Sequence, residues 1–78
     1  MTKYLEKDLE YWDKITRKNS KNLYAWEKKG WALGGLGRYE EALECFDKAL
    51  EINPKNANVL SAKNSVKRKI ENRKREEM

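Results

Sequence analysis

Gly34-Gly35-Leu36-Gly37 separates two stretches of helical apolar pattern. Three glycines in four residues end a helix, because one of them can take the left-handed conformation that closes it. Upstream, Leu23, Trp26, Leu33 and Leu36 fall at the spacings of one helix face, with Gly30 and Ala32 among them. Downstream, Tyr39, Ala42, Leu43, Phe46, Ala49, Leu50 and Ile52 repeat the pattern as far as Asn53-Pro54. The helix stops there, since the residue before a proline is driven out of the helical region. Two helices joined by so short a turn run antiparallel, so residues 23–56 predict an αα-hairpin. Gly30 sits mid-helix, where it costs about 1 kcal/mol against alanine. Close approach of the second helix, whose Ala42 and Ala49 are small and share a face, supplies a reason for it.

The hairpin resembles a tetratricopeptide repeat (TPR). Trp26, Gly30, Gly37, Tyr39, Ala42, Phe46, Ala49 and Pro54 stand at that family's signature spacings. Two positions depart: Lys29 stands where leucine is usual and Leu33 where tyrosine is usual. Lys29 is expected to cover apolar surface with its stem and to carry its charge out to water. The resemblance spans 34 of the 78 residues.

Each flank reads as one further helix. From Tyr4 to about Lys18, Leu5, Leu9, Trp12 and Ile15 form a stripe, with Tyr4 and Tyr11 as a narrower second one. Asn19-Ser20-Lys21-Asn22 is turn-forming. Shifted by one repeat, Trp12 takes the place of Phe46, Ile15 of Ala49, Ser20 of Pro54 and Asp8 of Ala42. The segment therefore resembles the second half of a repeat, with a wet, acidic site where a full repeat has a small buried residue. From Ala57 to about Arg75 the stripe is thin: Val59, Ala62, Val66 and Ile70, plus Leu60. Asn56 or Asn58 caps this helix. Its polar remainder suits a solenoid's terminal capping helix, and the basic stretch beyond Lys67 is expected to fray. The expectation is one all-α domain, a four-helix TPR-type antiparallel array: half-repeat helix 1–22, full hairpin 23–56, C-terminal capping helix with a basic tail 57–78.

Composition narrows the function classes. With one cysteine and no histidine, neither an internal disulfide nor a zinc site of the usual kind is available. No apolar run approaches the roughly 20 residues of a membrane helix, and no signal peptide is visible, so a soluble, cytoplasmic protein is expected. Charged residues make up 40% of the chain, an enrichment also seen in heat-adapted proteins. The net charge of +5 is divided as +2 over residues 1–22, −1 over 23–56 and +4 over 57–78.

The resemblance implies a protein-interaction scaffold, with the first helix of each repeat lining a concave groove for extended or helical peptides. The groove positions it implies are Tyr24, Glu27, Lys28 and Trp31, with Asn58, Ser61, Ser65 and Arg68. Of these, Tyr24, Glu27, Lys28, Trp31 and Arg68 are the candidate protein-binding residues. Trp31 is the foremost, because exposed tryptophan beside tyrosine anchors interfaces; its rival role is packing onto the first helix. A TPR subclass grips C-terminal carboxylates with lysine, arginine and asparagine. Glu27 and Trp31 stand in the places of its first lysine and asparagine, so that specificity is not expected. No enzyme is expected: the GGLG turn follows no strand, so it is no dinucleotide loop, and nothing around Cys45 pairs with it for catalysis. No cofactor or metal is expected. The alternatives are a self-assembling structural unit or an excised or engineered repeat fragment. A further one is nucleic acid contacted by the basic C-terminal helix, which is disfavoured because Glu71, Glu76 and Glu77 interrupt the run and no aromatic side chain is there to stack a base.

Overall fold

The computed structural model describes the backbone of residues 2–77 and the side chains of residues 5–76. The Tyr4 side chain, and with it half of the expected Tyr4–Tyr11 stripe, lies outside the described residues. Four helices follow one another: α1 (Thr2–Lys18), α2 (Leu23–Gly35), α3 (Tyr39–Ile52) and α4 (Ala57–Glu77). Each packs on its sequence neighbour, α2 also meets α4, and among the described residues the α1 and α3 backbones make no close approach. The described part is a slab of 41 × 31 × 15 Å, so its core is a single seam. Phe46 lies at its centre, with Leu33, Ala42, Cys45, Ala49, Val59, Ala62 and Val66 around it.

Gly30 makes the hairpin possible. A Cβ built on it would lie 2.5 Å from Phe46 Cε1 and 2.8 Å from Cζ, so the ring of α3 rests directly on the α2 backbone. The reason expected for Gly30 is thus met by one side chain. Of the glycines after it, Gly37 is the one with a positive φ, at 81°. Arg38 N–H donates to the Leu33 carbonyl at 2.9 Å and Gly37 N–H to the Gly34 carbonyl at 3.1 Å. These are the paired bonds of a Schellman closure, which satisfy carbonyls the helix leaves open.

The turns before α2 and before α4 are built alike, 34 residues apart. Asn22 Oδ1 accepts the Ala25 N–H at 3.1 Å, and Asn56 Oδ1 accepts the Val59 N–H at 3.0 Å. Asn19 Oδ1 accepts from Lys21 N–H and Asn53 Oδ1 from Lys55 N–H, both at 3.1 Å. Asn56, not Asn58, is therefore the cap of α4, and at the place of Pro54 the first turn has Ser20, whose carbonyl accepts the Trp26 indole N–H at 2.8 Å. Two interhelix ion pairs share the offset. Lys29 Nζ lies 2.9 Å from Asp13 of α1, and Lys63 pairs with Asp47 of α3.

Three expectations need correction. The Lys29 ammonium does not run out to water but ends on Asp13, crossing the Trp26 ring at 5.3 Å; a carboxylate on the neighbouring helix replaces solvent. The stretch beyond Lys67 does not fray. Arg73 Nη2 donates to both Glu40 oxygens, at 2.7 and 3.0 Å, and Lys69 and Arg73 lie over the Tyr39 ring, so α3 holds α4 as far as Arg73, and the helix continues to Glu77. Ile52 ends its stripe in solvent rather than in the core.

Candidate functional site

At 100° per residue, Tyr24, Glu27, Lys28 and Trp31 share one face of α2, opposite Trp26, Lys29 and Leu33. Tyr24 is 56% exposed and Trp31 51%, while Glu27 and Lys28 are half-buried. Lys28 Nζ sits 5.1 Å above the Tyr24 ring, a distance at which a cation is attracted to the ring face. Trp31 meets Phe46 edge-on, its centroid 6.1 Å away, so its ring contact is with α3 rather than with α1. One edge is thereby fixed while about half of the ring faces solvent. This rigidity lowers the ordering cost of a contact made through it.

The face extends beyond the residues picked out by spacing. Tyr24 meets Trp12 of α1 at 5.6 Å, and Trp12 meets Tyr11 at 4.8 Å, both edge-on. Tyr11, 59% exposed, continues the aromatic surface across α1. The signal for it lies in the Tyr11-Trp12 pair, but the helix spacing assigns Trp12 to packing and sets Tyr11 on a separate stripe with Tyr4. Arg68 stands exposed on α4, as do Asn58, Ser61 and Ser65. Among the described residues Arg68 makes no hydrogen bond or ion pair with the α2 set. The structure thus brings four of the five candidate residues together and leaves the fifth apart.

The opposite side of α2 floors a cleft between α1 and α3. One end is lined by Leu9, Glu10, Asp13, Lys29, Leu33, Arg38, Glu41, Glu44 and Cys45. The other is lined by Thr16, Arg17, Ser20, Lys21, Trp26, Lys48, Glu51 and Ile52. Its charges are largely paired. The hydrogen bond from Lys29 holds the Asp13 carboxyl below its ordinary range, with Arg17 adding to the effect against partial desolvation. Arg38 grips Glu41 through two bonds, one of them Nη2–Oε1 at 2.9 Å, and lowers that carboxyl likewise. Burial pushes the Cys45 thiol up to about 11, which removes the thiolate a nucleophile needs. Among the described residues no group of three histidine, cysteine or carboxylate side chains is placed to hold a metal ion. No described helix is long and apolar enough to cross a membrane.

The family model of the tetratricopeptide repeat matches residues 23–56, the hairpin whose two helices are closed by Gly37 and packed through Gly30 and Phe46. An uncharacterized protein of Methanocaldococcus jannaschii is 48% identical over 48 residues, which make up 62% of this chain and 56% of that protein. The chain therefore spans little more than half the length of that relative. Repeats of the matched family are, in general, protein-interaction units. Residues 23–56 of this chain are therefore a tetratricopeptide repeat.

Proposed function

We propose that the chain is a non-catalytic binding module that takes a protein or peptide partner on the outer face of α2. Tyr24 and Trp31 act as anchors, Glu27 and Lys28 as polar contacts, and Arg68 reaches the partner from α4. The reading is of a cytoplasmic module that needs no cofactor. The observation that carries it is the pair of half-exposed aromatic rings two helical turns apart on one rigid face. Aromatic anchors seated on a fixed scaffold dominate the energetics of most interfaces.

Peptides selected from a random library against the 78-residue chain test the reading, with affinities measured by calorimetry. Trp31→Ala is expected to weaken binding roughly 30-fold or more, the size of a central anchor. Ile52→Ala, an exposed hydrophobe in the opposite cleft, should leave the affinity unchanged. Peptides that bind the Trp31→Ala chain as well as the parent, or that lose affinity with Ile52→Ala instead, would place the binding face elsewhere.

A further inference from the structure

The outer helices are, position by position, the two halves of one repeat. α3 presents Ala42, Cys45, Phe46 and Ala49 to the seam, all buried. Thirty-four residues earlier α1 carries Asp8, Tyr11, Trp12 and Ile15. There Asp8 and Tyr11 are exposed and Trp12 and Ile15 only half-buried. α2 meets α3 through Trp26, Gly30 and Leu33. Thirty-four residues later α4 carries Leu60, Asn64 and Lys67, all exposed, Leu60 to 41%. Within this chain each outer helix therefore exposes the face that its counterpart in the hairpin buries against a neighbour. The repeated caps and the repeated Asp–Lys pairs fix the correspondence between the helices independently of the apolar pattern.

We infer that a second copy of this chain supplies that neighbour: α4 of one copy docks on α1 of the next, in the antiparallel register in which α2 docks on α3. This rests on Asp8, Trp12, Ile15, Leu60, Asn64 and Lys67, none of which is a proposed peptide contact, so either can fail alone. The contact of Gly30 with Phe46 sets the register. Carried over, it places Asn64 opposite Trp12, Leu60 near Ile15, and Lys67 beside Asp8. Asp8 and Lys67 have no ion-pair partner within the chain among the described residues, and their charges are opposite. Asn64 fills the space that Gly30 leaves open. Trp12 accommodates this, because its ring leans on Tyr24 instead of standing over the neighbouring helix as Phe46 does. The resulting contact is more polar and wider than the α2–α3 seam, so it belongs with the weak interfaces, those burying under about 1,200 Å². It joins unlike surfaces and therefore propagates head to tail.

Sedimentation velocity of the 78-residue chain from about 10 μM to about 1 mM tests the inference. Salt near 0.15 M shortens the Debye length to about 8 Å and so screens the repulsion between copies of net charge +5. The weight-average mass should rise above 9.3 kDa with concentration. Asp8→Lys should lower the association constant about tenfold or more, and Asp8→Lys combined with Lys67→Glu should recover most of it. Both positions are exposed, so unchanged helical CD will show the fold intact. A chain that stays at 9.3 kDa throughout, association that ignores Asp8→Lys, or a charge exchange that recovers nothing would each overturn the inference.

Discussion

Gly30→Ala isolates the one close approach on which the hairpin depends. In an exposed helix this substitution stabilises, since alanine is favoured over glycine by about 1 kcal/mol. Here the new methyl would lie 2.5, 2.8 and 2.9 Å from three carbons of the Phe46 ring. Phe46 is fully buried, so the ring has no solvent into which to swing. Overpacking of this kind costs about 1–3 kcal/mol, and contact with three ring atoms at once argues for the upper half of that range. After the propensity gain is offset, a net loss of about 1–2 kcal/mol is expected. For a domain of this size, 1 kcal/mol moves Tm by about 4–8 °C, so the fall should be about 5–15 °C. Gly34→Ala is the internal control. Its nearest neighbour would be Val66 Cγ2 at 4.0 Å, an ordinary contact, so the same change four residues on should raise Tm. CD melts of both variants and of Phe46→Leu with and without Gly30→Ala complete the test. Leucine lacks the ring edge that the methyl strikes, so Gly30→Ala should cost less in that background. If Gly30→Ala raised Tm as Gly34→Ala does, the argument that Phe46 requires a bare backbone would be refuted.

Acid should act through Asp13. Its carboxyl titrates below the ordinary value of 3.8 because Lys29 donates a hydrogen bond to it. On acidification the unfolded chain takes up that proton first, so the pair's contribution is present above the ordinary range and is lost as pH falls through the lowered value. Asp13→Asn should flatten the decline of Tm between about pH 5 and pH 2; as the group is partly exposed, the effect should be under about 1 kcal/mol. An unaltered decline would show that the pair is not coupled to folding. The Cys45 thiol, raised to about 11 and buried, should react with iodoacetamide at pH 8 about two orders of magnitude more slowly in the native chain than in urea. Equal rates would mean that α3 opens readily around Cys45.

Local pattern and tertiary partnership divide what could be read in advance from what could not. The hairpin was legible because its determinants are local or repeat-spaced: the stripes, the Asn53-Pro54 stop, and Gly30 sixteen residues before Phe46. Which of three glycines would close α2 was not legible, since several satisfy the composition and only the backbone angle at Gly37 distinguishes them. Lys29 escapes a local reading for a different reason. Read alone, a lysine at an apolar position has only water for its charge, but its partner Asp13 is sixteen residues upstream on another helix. Comparing the chain with itself exposes that pair, because Asp47 and Lys63 repeat it 34 residues on. The basic end of α4 shows the same limit: as a local run it reads as solvated, yet Arg73 reaches Glu40 across the fold. For the candidate face, spacing alone gathered Tyr24, Glu27, Lys28 and Trp31 on one side of α2, whereas Tyr11 and Trp12 joined it through packing between helices. The residues that fix the step from one helix to the next are thus asparagines and Asp–Lys pairs, short polar contacts with directional demands. The apolar residues set how closely the helices approach. This division explains how α1 and α4 keep the geometry of the array while the positions that differ from the central hairpin, Asp8, Tyr11, Leu60, Asn64 and Lys67, are polar or large. On the proposed docking of one copy on another, polarity and bulk there would exchange close packing for selectivity, because each site would demand a complementary charge or a widened gap from its neighbour.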